Sequence, residues 1–171
     1  MDVFEAIENR RSVRKFKKDM PVEEEKLQKV LEACRAAPSA HDSQPWELIV
    51  IRNRDVLRAI AKETAYGQFL SNVPLGVAVV LDPKASQSFY MVDGGILTQN
   101  FALAAHALGL GTCWVGTMNR DKVKELLGIP VEKYLLTVLP LGYPDGKFPS
   151  IPRKQLKEML YYEKYEQRNP C

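Results

Sequence analysis

Apolar residues along this chain fall into two rhythms. Over 2–10, Val3, Phe4 and Ile7 share one helical face, and over 22–36, Leu27, Val30, Leu31 and Cys34 recur at the i, i+3, i+4, i+7 spacing of an amphipathic helix. Pro21 suits the N-terminal end of that second helix. Residues 55–63 and 120–127 read as surface helices, the latter stopped by Gly128-Ile129-Pro130. Between them, short apolar runs over 46–51, 76–81, 112–115 and 135–141 are bounded by Gly, Pro, Asn or Asp and have the character of strands buried on both faces. Four such strands make one sheet, and their alternation with helices predicts an α/β layered domain.

Residues 94–119 break both rhythms. The segment holds no Asp, Glu, Lys or Arg, yet carries Ile96, Leu97, Phe101, Leu103, Ala104, Ala105 and Leu108. Gln99, Asn100, His106 and the Gly109-Leu110-Gly111 break leave it short of the roughly 20 apolar residues that span a bilayer, so a buried helix is expected. A helix apolar around its circumference must be covered on every side, and a small sheet with a few amphipathic helices cannot surround it. The expectation is a homodimer whose interface uses this helix, the alternative being a helix central to a monomeric core.

Composition narrows the function classes. The 171 residues predict one domain over 1–171, with no linker and no internal repeat; 46% hydrophobic and 26% charged residues exclude wholesale disorder. A net charge of +3 is too small for a nucleic-acid coat, so neither nucleic acid nor membrane is expected as a partner. Cys34, Cys113 and Cys171 form an odd set without CxxC or metal-like spacing, which argues for reduced thiols in the cytoplasm. Met1-Asp2-Val3-Phe4-Glu5 is acidic and helix-like rather than a basic leader, so secretion is not expected.

Against this even background, Arg10-Arg11-Ser12-Val13-Arg14-Lys15-Phe16-Lys17-Lys18 sets six cations within nine residues. Where the first helix gives way to extended chain, guanidinium forks and a hydroxyl can converge on one anion. A solvated face is the plainer reading of such a run. A second stretch, Ala37-Pro38-Ser39-Ala40-His41-Asp42-Ser43-Gln44-Pro45-Trp46, is small, polar and turn-forming, and its backbone could hold a planar ligand, although by spacing alone an ordinary helix-to-strand connection is the better reading. There is no GxGxxG, no GxxxxGK[ST], no nucleophilic triad by position and no His/Asp/Glu metal set, so metal and nucleotide hydrolysis are not expected.

Taken together in this order, Arg10-Arg11-Ser12-Val13-Arg14, Ala37-Pro38-Ser39 with Gln44-Pro45-Trp46, Asp93-Gly94-Gly95 with Gln99-Asn100 and Leu103-Ala104-Ala105, Gly109 to Gly116, and Leu141-Gly142-Tyr143-Pro144 with Arg153 resemble the nitroreductase-like family of FMN-dependent oxidoreductases. The resemblance covers nearly the whole chain. It implies an α+β or α/β fold with a central mixed sheet flanked by helices, an intertwined homodimer, and FMN in clefts between subunits. The implied activity passes hydride from NADH or NADPH through flavin N5 to a nitroaromatic, quinone or similar small acceptor. The alternative is an FMN-binding storage or electron-transfer protein without its own turnover.

Carried over by residue, the resemblance implies Arg10, Ser12 and Arg14 as contacts to the flavin phosphate, ribityl chain and ring edge, with Arg153 and Lys154 closing on the phosphate. Pro38, Ser39 and Ala40 would reach the ring from the other subunit, and backbone near Val115 and Gly116 would approach it; Arg11, Asp42 and Gln44 complete the implied binding set. No side chain acts as catalyst by itself, and Arg14 would stabilise negative charge on the reduced ring. Asp42 departs from the asparagine common in the family, so it is expected to point away from the ring, pair with an arginine or hold a raised pKa. A second departure is the short 82–87 connection, where larger relatives insert helices over the substrate; the roof is then expected to be thinner or built from other parts, such as residues 64–72 or the tail over 161–171 reaching across the dimer. Tyr161, Tyr162 and Tyr165 are expected to pin that tail, His41 to face solvent, and His106 to sit in the core.

Overall fold

The computed structural model describes residues 1–168, so Cys171 and the last residues of the tail lie outside them. Helix α1, Val3–Asn9, starts at a reciprocal cap: Asp2 accepts from the Glu5 amide at 2.9 Å, and Glu5 accepts from the Asp2 amide at 3.0 Å. Helix α2, Glu24–Arg35, begins with Glu23 as its cap, so Pro21 precedes the helix instead of opening it. Strand β1, Trp46–Ile51, and helix α3, Arg54–Lys62, follow, the latter capped by the Asn53 side chain. Then come β2, Leu75–Leu81, the long helix α4, Tyr90–Ala107, helix α5, Arg120–Leu127, strand β3, Tyr134–Leu141, and the single turn α6, Leu156–Met159.

The sheet has three strands in the order β1-β2-β3, antiparallel at both joins. Residues 112–115, expected as a fourth strand, form no ladder. They make isolated bridges instead: Ser12 to Thr112 in parallel, and Val115 to Val138 antiparallel. The reason is geometric, because this stretch spends its backbone on two different neighbours in turn. The only parallel pairing among the described residues is thus the Ser12–Thr112 bridge.

β2 is buried along its whole length because helices cover both faces of the sheet. Leu75, Val77, Val79 and Leu81 point into one core with Leu27, Val30 and Cys34 of α2 and Leu97, Phe101 and Ala105 of α4. Ala78 and Val80 point into the other, with Leu57 and Ile60 of α3 and Val123 of α5. β1 is half exposed, as an edge strand should be.

α4 buries Leu97, Phe101 and Ala105 against the sheet side, while Met91 and Val92 stay open to solvent. The expected apolar face of α1 is open too: Phe4 is 73% exposed and only Ala6 is buried. Through Arg168 the tail's rings pack on the tail itself, so the expected pinning to the body is not seen among the described residues. Tyr161 and Tyr165 pack on each other at 4.8 Å between ring centres, with Arg168 over Tyr161, while Ile151, Leu156 and Met159 lie exposed. No helix among the described residues is long and apolar enough to cross a membrane.

Candidate functional site

The arginine run is positioned by the end of α1. Arg11 donates through Nη1 to the carbonyls of Glu8 at 2.6 Å and Arg10 at 2.9 Å, satisfying helix-end acceptors and turning the chain into an extended strip. That strip is locked from its other side, where the Val13 amide donates to the Thr112 carbonyl at 2.9 Å. Gly111 makes the approach possible: a Cβ there would lie 2.7 Å from the Cβ of Val13, closer than side-chain carbons pack.

The strip faces a cleft of about 490 Å³, lined by Arg10, Arg11, Ser12 and Arg14 together with Ile7, Glu8, Phe148 to Ile151, and Arg153. Five of the expected residues therefore meet although Arg153 is more than a hundred positions away in sequence. Among the described residues no carboxylate forms an ion pair with Arg10, Arg11, Arg14 or Arg153; of the whole cationic run only Lys15 does, with Asp145 at 2.9 Å. Glu8 is the one acid on the cleft wall.

Arg14 also belongs to a second cleft of about 250 Å³, shared with Tyr66, Phe69, Cys113, Trp114, Val115, Gly116 and Thr117. The exposed rings of Tyr66 and Trp114 offer stacking surface beside a cation. The Trp114 indole nitrogen would sit 2.9 Å from a Cβ on Gly116, so any side chain at that position would push the ring aside. Val115 presents no free backbone polar group. Its amide donates to the Thr137 hydroxyl at 3.2 Å, and its carbonyl accepts from that hydroxyl at 3.0 Å. Burial pushes the Cys113 thiol up, against the opposing pull of Arg14, so it is no ready nucleophile.

The loop from Pro38 to Gln44 lines neither cleft. It is strained without a glycine: His41, Asp42 and Gln44 hold φ of 53°, 52° and 42°. Asp42 accepts from the Gln44 side-chain amide at 2.9 Å and pairs with no arginine; the Gln44 backbone amide donates to the Ser39 hydroxyl at 2.9 Å. His41 is exposed, as expected. His106 is only half-buried, with its pKa lowered by burial and then by the charges of Arg10 and Arg11.

A family model described as the nitroreductase family matches residues 7–77 and 61–143, most of the chain and all of the elements just described except the ends. The chain belongs to the nitroreductase family. It is 40% identical over 150 residues to a Methanothermobacter thermautotrophicus protein named "Putative NADH dehydrogenase/NAD(P)H nitroreductase", covering 84% of this chain and 78% of that one. It is 27% identical over 187 residues to an FMN reductase [NAD(P)H] of Bacillus subtilis, covering 96% of this chain and 74% of that protein. Among solved structures, an FMN-dependent nitroreductase of Clostridium difficile superposes with a TM-score of 0.88 at 26% identity, over 95% of this chain and 99% of the other.

Within this nitroreductase fold, the aromatic contribution of Tyr66, Phe69 and Trp114 to the second cleft is what residue-by-residue reading left unassigned. Its signal was visible only as a choice of segments, since 64–72 was one of two candidates for a roof. Trp114 looked like core because it stands in an uncharged run, yet it is 47% exposed.

Proposed function

We propose that this chain is an FMN-dependent NAD(P)H oxidoreductase that reduces a small electron-poor acceptor, a nitroaromatic or a quinone. The observation that carries the reading is that Arg14 lines both clefts: an acid-poor cationic one and an aromatic-walled one. The donor set fits a phosphorylated flavin, with guanidinium groups and a hydroxyl for the phosphate end and stacking surface for a planar ring.

Arg10 and Arg153 would hold the phosphate, the Ser12 hydroxyl would reach the ribityl chain, and Arg14 would face the ring edge where negative charge collects on reduction. Bound FMN supplies a two-electron carrier between the nicotinamide and the acceptor. The chain's own work is to keep Arg14 fixed, because a preorganised charge costs no rearrangement during the reaction. The bridge of the strip to Thr112 does that. Gly116 keeps the floor of the second cleft free of a side chain.

Assembly is part of the same reading. Pro38, Ser39 and Ala40 would reach the ring from a second copy, and the exposed Val3, Phe4, Ile7, Met91 and Val92 support a homodimer through α1 and α4. One domain over 1–171 and a cytoplasmic setting complete it; Cys34 and Cys113, buried and free of any disulfide, support a reducing compartment. The test is an absorbance spectrum of the purified protein with FMN, followed anaerobically by NADH and NADPH in turn. Flavin colour that bleaches is the expected result and identifies the donor. Flavin that binds but stays oxidised with both donors overturns the enzyme reading in favour of storage or electron transfer.

A further inference from the structure

We infer that Asp93 is a positioning residue for the flavin ring, acting through the strained loop of residues 39–44; the inference rests on the oxidoreductase reading above. Asp93 stands in the first turn of α4, is 2% exposed and makes no ion pair among the described residues. Its two oxygens serve two different segments. Oδ1 accepts from the Ala40 backbone amide at 3.0 Å, and Oδ2 accepts from the buried Ser86 hydroxyl at 3.0 Å.

A buried carboxylate is retained at a cost unless its hydrogen bonds hold something that needs holding. What this one holds is the entry to a strained loop. Three non-glycine residues in five positions adopt positive φ, a conformation that persists only where the surroundings impose it. Within the loop the Asp42 and Ser43 amides donate to the Ser39 and Ala40 carbonyls at 3.2 and 3.0 Å, and Gln44 bonds to the Ser39 hydroxyl and the Asp42 side chain. Among the described residues the Ala40 amide is the one bound outside the loop, to Asp93, and this bond ties the loop to the rigid helix. Ser86 belongs to the short connection before α4, so one carboxylate joins that connection to the loop and sets their spacing. In a dimer, Asp93 of one copy would thereby set how closely Ser39 and Ala40 meet the ring held by the arginines of the other.

The test uses the FMN-loaded protein with Asp93→Ala, Asp93→Asn and Ser86→Ala. Three quantities are read: FMN affinity by fluorescence quenching, the visible circular dichroism of the bound flavin, and its anaerobic reduction by NADH or NADPH in single turnover. A displacement of the loop by about 1 Å should slow reduction by Asp93→Ala about 10- to 100-fold, the scale set by misplaced positioning groups, and should alter the flavin dichroism. Affinity should fall much less, because the phosphate contacts lie elsewhere. Asn keeps an oxygen for the Ala40 amide, so Asp93→Asn should restore both the rate and the dichroism. Wild-type rate and dichroism in a folded Asp93→Ala overturn the inference, as does an Asp93→Asn variant no better than Asp93→Ala. Where Asp93→Ala does not fold, Ser86→Ala decides: altered dichroism with slower reduction supports the role, and unchanged values overturn it. A wild-type protein that binds no FMN overturns the oxidoreductase reading itself, an outcome distinct from a wild type that bleaches beside an unaltered Asp93→Ala.

Discussion

On its sheet side α4 sets Leu97, Phe101 and Ala105 against β2 and α2 with no solvent contact, whereas its Met91 and Val92 stay open, as do Val3, Phe4 and Ile7 of α1. The two regions are alike in composition and opposite in circumstance. The enclosed side contains the fold's stability. Outside that enclosed packing lie the arginine strip, Arg153 and both clefts, the second of them against the sheet's other core, and the open apolar residues of α1 and α4 have no cover among the described residues. The contrast separates what this polypeptide needs for folding from what it keeps for assembly and ligand.

That division can be broken deliberately, and the largest effect belongs to the enclosed side. Phe101→Ala should cost about 3–5 kcal/mol of stability, read by chemical denaturation. In the wild type the Cys34 thiol, pushed up to about 12 by burial, should resist thiol reagents until that same transition. Arg153→Ala on the open side should do the reverse, weakening FMN binding about 10- to 100-fold as a charge-assisted contact is lost, while the unfolding midpoint stays put. Unchanged FMN affinity would remove Arg153 from the phosphate site.

Gly111→Ala strikes the seam between the regions, since the new methyl collides with the β-branched Val13. It should cost about 1–3 kcal/mol by overpacking and also slow flavin reduction, because Val13 can yield only by moving the strip that bears Ser12 and Arg14. Loss of stability with an unaltered rate would show that the strip absorbs the shift. Phe4→Ser should leave the unfolding of the isolated chain within about 0.5 kcal/mol, as surface changes do, yet lower the apparent mass in light scattering at low protein concentration.

The smallest effect concerns His106, which stands where both regions touch. Burial, then Arg10 and Arg11, hold its pKa below the ordinary 6.5. The unfolded chain therefore takes up this proton at higher pH than the folded one. The stability at stake is complete above about pH 6.5 and is lost as pH falls through the lowered folded value. Melting temperatures between about pH 7.5 and about pH 5.5 should fall more in the wild type than in His106→Gln. Equal slopes would dissociate His106 from the acid sensitivity.

Much of the enclosed side was legible in the sequence, because helical spacing fixed Leu27, Val30 and Cys34 inward and an unbroken apolar run marked β2. The cationic strip was legible too, being local. Other features are properties of the fold. Residues 112–115 look like a strand by composition but split their bonds between Val13, Thr137 and Val138, a choice no periodicity encodes. The loop at 41–44 uses left-handed backbone without the glycine that normally announces it. Asp93 showed no sign of its partners, since Ala40 and Ser86 approach it only after α4 has packed. The face of α1 was legible as apolar, but its surroundings were not, because periodicity reports which side avoids water and not which molecule excludes it.

The grip of Arg11 on the end of α1 has one further result. By stopping the helix at Arg10, it spaces Phe4 and Ile7 from Ser12 and Arg14 by little more than a helical turn and a rigid step. If the proposed dimer forms through that face, association and closure around a phosphate would be mechanically a single event. On the reading proposed here, FMN occupancy should depend on the concentration of protein as well as of flavin, and dilution alone should release the cofactor.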